Sequence, residues 1–377
     1  MAKVTLQDVA KAAGVSIATA SWAVNDNRNV RIPESTRRKV RKAADSLGYH
    51  HNALARGLAR GCSDIIGFIS DGVATSPFAG QVIQGAQDEA WRNGKILLVV
   101  NTNGKKDVER KTFAFMLEHQ VEGVIYSKWV HESITPPSEL DKVPAVLVNC
   151  YDERGRFPAV VPNEVQGGAT ATRLLLEAGH RRIAFVNAIT PSPASLGRLE
   201  GYKAALAAFG IDFDSSLVVP ANADQEGGYG AAEKVMATDA TAVFCHNDRT
   251  ALGLYDALRE LGKRVPDDIS VVGFDNQEMI SAHMHPALTT VGLPQYELGV
   301  MGVRTLLRQC GRNEDDGDEH VVTRTFEPIF VQCPAVSRDS VKRLQHGRRS
   351  AATLVETLTK RWKNGIVQGD CVNRLTF

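Results

Sequence analysis

With 377 residues, 43% of them hydrophobic and 23% charged, the chain is long enough for several folded units and too apolar to be disordered. Its six cysteines include no Cys-x-x-Cys pair, and no apolar run is long enough to span a bilayer, which argues against a disulfide scaffold, a zinc ribbon and a membrane protein. The net charge of +1 hides an asymmetry: the first 61 residues hold eleven Lys/Arg against four Asp/Glu, and the remainder holds 33 against 39. A basic head thus precedes an acidic body, and only the head attracts a polyanion.

The head reads as three helices. Thr5 can cap the first, with Asp8 three residues on, and Leu6, Val9, Ala10 and Ala13 form one apolar stripe. Gly14 sits where the chain must turn sharply, and Ser16 can cap a second helix whose Ala20, Ala23 and Val24 pack back on the first. A third helix is expected from Pro33, with Val40, Ala44 and Leu47 buried, Gly48 at its end, and Arg37, Arg38, Lys39, Arg41 and Lys42 exposed. Two short helices about a tight turn, followed by a basic third, suit a DNA-reading helix-turn-helix.

The ordered string Val4-Thr5-Leu6-Gln7-Asp8-Val9-Ala10, then Ala13-Gly14-Val15-Ser16, then Thr19-x-Ser21, resembles the head of the lactose-repressor (LacI/GalR) family. The resemblance implies that the second helix enters the major groove of an operator. Ile17 and Ala18 match the main specificity positions, and Ser16, Thr19, Ser21 and Asn25 match positions that hold phosphates or support base contacts. Thr5 and Trp22 complete the DNA-contacting set, although Trp22 stands where the family usually carries arginine. Arginine reads guanine by a bidentate contact that tryptophan cannot make, so a half-site read through thymine methyls and shape is expected. His51 to Leu58 resembles the hinge helix, with Leu58 the minor-groove wedge and Ala55 the small residue beside it. A helix this short is unstable alone, so it should fold on DNA against its twin, which implies a homodimer and leaves a tetramer open.

From residue 62 onward, apolar runs alternate with helical stretches. Strands are expected at Ile65–Ile69, Ile96–Val100, Gly123–Tyr126, Ala145–Val148, Ile183–Val186, Ala242–Cys245 and Ile269–Phe274. This alternation predicts two α/β lobes with doubly wound parallel sheets. Gly179-His180-Arg181-Arg182-Ile183, Arg198-Leu199-Glu200-Gly201-Tyr202, Asn247-Asp248, Val265 to Asp275 and Leu288 to Val291 resemble markers of the same family's effector domain, which is periplasmic-binding-protein-like. The implied division is a head at 1–50, a hinge at 51–61 and a body at 62–336. Lobe 1 takes about 62–162 and 292–322, and lobe 2 takes 163–291 and 323–336, with crossings near Asn163, Val291 and Thr323. Residues 337–377 form an extension expected to be loosely structured, in which Leu354, Leu358 and Trp362 share one helical face.

Ligands of such folds bind outside the strand C-termini. The resemblance places Arg198, Asn247 and Asp275 on the effector, with Phe78 an apolar contact, and Trp129 or Tyr151 could supply a stacking ring. A sugar or sugar derivative is the expected ligand; a non-sugar ligand, a protein corepressor or a sugar carrier without DNA function are the alternatives. The Gly227-Gly228-Tyr229-Gly230 run lacks phosphate-loop spacing, His283-Met284-His285 lacks further metal ligands, and no serine stands in a nucleophile motif. No metal, cofactor or enzymatic activity is expected, and with no leader pattern the expected location is the cytoplasm.

Overall fold

The computed structural model describes residues 4–25, 30–49, 63–73, 79–311 and 325–344. In the head, α1 (Leu6–Ala13), α2 (Ile17–Val24) and α3 (Glu34–Leu47) pack around Val9, Ala10, Ala13, Ala20, Ala23, Val40 and Ala44. Five of these seven core residues are alanines, so the helices approach closely. Thr5 and Asp8 form a reciprocal capping box, and Ser16 caps α2 through the Thr19 backbone N–H at 3.0 Å. Gly14, at φ 63°, takes the left-handed conformation that the turn requires. Two expectations for α3 fail. Leu47, in its last turn, lies beyond the small core and is 38% exposed. Arg37 is buried at 9% exposure because its guanidinium reaches back to donate to the Val30 carbonyl at 3.1 Å, tying down the loop before α3.

The body contains two six-stranded sheets. The first is built from β1 (Ile65–Ser70), β2 (Ile96–Asn101), β3 (Gly123–Ser133), β4 (Ala145–Tyr151) and β5 (Ala159–Pro162). The second is built from β6 (Ile183–Ala188), β7 (Val218–Ala221), β8 (Ala242–Cys245), β9 (Ser270–Asp275) and β10 (Thr289–Gly292). Two short late strands complete them: β11 (Ile329–Val331) joins β5 in parallel, and β12 (Ala335–Val336) joins β10 antiparallel. Every other pairing is parallel, as expected when helices cover both faces.

On the first sheet, α4 (Gly80–Arg92) and the later α11 (Gln295–Cys310) share one core, while α5 (Lys106–Glu118) stacks Phe113 on Tyr126 across the other face. The second sheet is sandwiched between α6 (Glu164–Glu177) with α7 (Pro193–Ala208), and α8 (Gln225–Met236) with α9 (Asp248–Glu260). A short α10 (Glu278–Ser281) follows β9. The chain passes between sheets at Asn163 and again after Gly292, close to the expected points. The third passage is displaced: β11 still belongs to the first sheet and β12 to the second, so the crossing lies at residues 332–334 and not near Thr323, which itself is outside the described residues.

The first part of the extension is also fixed, against expectation. Ser340 is fully buried, donating to the Val271 carbonyl at 2.6 Å and accepting from the Thr289 N–H at 2.7 Å, and the Leu344 N–H donates to the Ala178 carbonyl. Residues 337–344 thus strap the second lobe, and residues 345–377 lie outside the described ones. No helix among the described residues is long and apolar enough to cross a membrane.

Candidate functional site

Two surfaces carry the candidate residues. On the head, α2 exposes Ile17 (50%), Ala18, Trp22 (39%), Ser16 and Asn25, while Ala20 and Ala23 hold its other face in the core. Ser16 and Thr19 hydroxyls lie 2.8 Å apart, and the Asn25 amide donates to the Ser21 hydroxyl at 3.2 Å, so these polar groups are pre-positioned by neighbours one turn away. Thr5 is exposed at the start of α1, its hydroxyl donating to Asp8. Ala55 and Leu58 lie outside the described residues.

In the body, a cavity of 1160 Å³ lies at the C-terminal ends of the strands, lined from both lobes. Arg198, Asn247 and Asp275 all line it: Asp275 ends β9, Asn247 lies two residues past β8, and Arg198 is on the helix after β6; Phe78 lies outside the described residues. Arg198 stands in the second turn of α7. It is 4% exposed, donates from Nε to Glu164 at 2.8 Å and from Nη1 to the His246 carbonyl, lies 3.7 Å from Asp275, and covers the Phe274 ring at 3.7 Å. Gly168 and Gly201 make this pairing reachable: a Cβ on Gly168 would strike the Arg198 backbone, and one on Gly201 the Val165 carbonyl, so only glycines let α6 and α7 pack this closely.

Glu164 is the partner that sequence reasoning missed. Its place in the first turn of α6, after the Asn163 cap, favours a carboxylate. Burial penalises its charge, but Arg198 and the hydrogen bond from His131 outweigh that and hold the carboxyl down, at about 2. Burial dominates at Asp275, raising it to about 6 against the pull of Arg198. Burial, and then the charge of Arg198, push His246 down to about 3, so it is neutral and serves through its carbonyl. Asn247 is committed to the fold as well as to the cavity wall: its oxygen caps α9 through the Thr250 N–H at 2.9 Å, and its amide donates to the Ala223 carbonyl.

From the first lobe, β3 carries an irregularity between Ser127 and Glu132 that brings Trp129, Val130 and His131 to the cavity. Asn149 holds this bulge by donating to the Lys128 and Trp129 carbonyls at 3.0 and 3.1 Å. Trp129 lines the cavity and is 46% exposed, whereas Tyr151 packs edge-on behind His131. His131 reaches across to Glu164 at 3.4 Å, joining the lobes.

Two features make the cavity a candidate binding site. Four buried polar atoms of its lining have no hydrogen-bond partner among the described residues: His131 Nε2, Asn149 Oδ1, Arg249 Nε and Gln295 Oε1. Such atoms cost free energy unless a ligand or water completes them. Asn103, Asn149, Asp275 and Asn276, four of the five described non-glycine residues at positive φ, also line it. Strained backbone gathers where function over-determines it.

Known proteins resemble this chain over both its head and its body. Residues 5–52 match the model of bacterial regulatory proteins of the lacI family, and residues 172–330 match the periplasmic binding protein-like domain. The chain is 33% identical over 344 residues to the HTH-type transcriptional repressor PurR of Vibrio atlanticus, covering 90% of this chain and 99% of that one. The lac repressor dimer bound to operator and the anti-inducer ONPF superposes with a TM-score of 0.70 at 25% identity, over 90% of this chain and all of that one. The complex of the transcriptional regulator CelR with cellobiose gives 0.59 at 26%, over 89% and 99%. These relatives are regulators and not enzymes. A capped helix-turn-helix head, a two-lobed body with a polar cleft, and end-to-end similarity to such proteins together show that this chain is a DNA-binding transcriptional repressor of the LacI family.

Proposed function

We propose that this repressor is controlled by a sugar or sugar derivative bound in the cleft between its lobes, and that it acts on operator DNA as a homodimer. The observation that carries the effector reading is the set of four unpaired buried polar atoms, three from the first lobe and its crossing and one from the second. They comprise two acceptor oxygens, a ring nitrogen and a guanidinium N–H, a mixture that suits hydroxyl groups, each able to donate and accept. Trp129 offers an apolar face beside them. That a 26% identical regulator forms a complex with cellobiose supports a saccharide as the ligand. The operator-bound lac repressor dimer supports the DNA-bound, two-chain state.

Control then follows by linkage. A ligand touching both lobes favours one lobe arrangement, and it alters DNA affinity only by its differential affinity for the two arrangements. Titration of the full chain with mono- and disaccharides and with purine bases, followed by intrinsic tryptophan fluorescence, tests the effector class. Saturable binding of a saccharide is the expected result. Binding of a purine base with no response to any sugar contradicts the reading.

A further inference from the structure

The cavity holds two arginines in unlike states. Arg198 has a partner on every side: Glu164, the His246 carbonyl, Asp275 and the Phe274 ring. Arg249 makes no hydrogen bond and no ion pair among the described residues, and its Nε is buried without a partner. It occupies the first turn of α9, where a cation meets the positive end of the helix dipole and unpaired backbone N–H groups. Packing does not explain it there, since Thr250, Ala251 and Leu254 supply the buried face of that helix.

Among the described residues, no carboxylate that shares the cavity forms an ion pair with Arg249, and only Asp275 feels its charge, as the weakest of the pulls on that carboxyl. Asp71 pairs with Lys128 at 2.9 Å, and Glu164 with Arg198. Asp275 lies beside Arg198 and takes a hydrogen bond from Gln277 at 3.1 Å. Glu278 is exposed at the rim and forms no ion pair with Arg249. We infer that the effector carries an anionic group, a carboxylate or a phosphate, and that Arg249 is its charge partner. This deepens the proposed sugar reading: the ligand class becomes a sugar acid or a sugar phosphate, with the hydroxyls met by His131, Asn149 and Gln295. A guanidinium with its Nε free offers the two-pronged donor geometry that such groups select.

The test compares matched probes on the full chain: neutral pentoses, hexoses and disaccharides, their uronic and aldonic acids, their phosphates, and inorganic phosphate and citrate alone. Affinities are read by calorimetry for the parent protein and for Arg249→Gln and Arg249→Lys. The expected result is that at least one acid or phosphate binds about tenfold or more tighter than its neutral parent sugar. Arg249→Gln erases that ratio, Arg249→Lys restores part of it, and the melting temperature of the free protein does not fall. Which class shows the gain separates carboxylate from phosphate. Neutral sugars binding as well as their acids and phosphates, or a ratio that survives Arg249→Gln, overturns the anion inference and leaves the sugar reading standing. Arg249-dependent binding of phosphate or citrate alone, with no sugar bound, does the reverse. Binding of no probe overturns both.

Discussion

Arg198 supports the cleft more than any other side chain, because it is the one cation buried between Glu164 and Asp275. Replacing it by methionine keeps the length but leaves the carboxylates uncompensated, and should cost about 3–5 kcal/mol in denaturant unfolding. A loss under about 1 kcal/mol contradicts the ion network. Asp275 gives a pH-dependent prediction. Its folded value of about 6 lies above the usual 3.8, so its contribution to stability is present below pH 3.8 and lost as pH rises toward 6. Asp275→Asn cannot ionise, and its stability relative to the parent should rise across that window by up to about 3 kcal/mol. A constant difference between about pH 4 and 6.5 refutes the assignment. Glu164, held low, loses its contribution as pH falls from 4.5 toward 2, a separate window. At the head, Trp22 is exposed on α2 and cannot make the bidentate guanine contact of an arginine. Selection from random DNA should therefore give half-sites without a fixed guanine opposite it, and Trp22→Arg should create one.

Among the elements, the long buried strands are legible in the sequence because a short, unbroken apolar run buries both of its faces most readily as an inner strand of a parallel sheet. Thus β8 falls where its run does, and β1, β2, β4, β6 and β9 lie within a few residues of theirs. β5, β7, β11 and β12 are short runs broken or flanked by Pro162, Pro220, Pro328 and Pro334, carry no such signal, and exist because a neighbouring strand presents an edge. Displacement of the third crossing has the same cause, since β11 is too short to read. The cleft was legible on the side built from strand ends, where Arg198, Asn247 and Asp275 converge. It was not legible where tertiary structure selects the residue. His131 comes in through a bulge, Asn149 through a left-handed backbone, and Gln295 through the second crossing. Glu164 alone left a trace, as an acid just after a helix cap. Close packing of α6 on α7 is the element-scale feature most open to test. Gly201→Ala forces a methyl against the Val165 carbonyl, should cost about 1–3 kcal/mol by overpacking, and should weaken effector binding by moving Arg198 off Glu164. Unchanged stability and affinity would show that the helices have room.

For the whole molecule, the charge division and the two-lobed body make one prediction about DNA and one about control. Because the first 61 residues carry the excess of basic charge, operator affinity should fall steeply with salt, in proportion to the phosphates neutralised. The affinity of the cleft for a neutral sugar, which releases no counterions, should not. Control by linkage between cleft and head is reciprocal: an effector that changes operator affinity by some factor must see its own affinity changed by the same factor when operator is bound. The most direct measurement is therefore the dissociation constant of the cleft ligand with and without saturating operator, at one fixed salt concentration. A ratio differing from one, and equal to the ratio of operator constants with and without ligand, is the predicted result. A ligand that binds in the cleft with the same constant in both conditions would show that the cleft does not control the head.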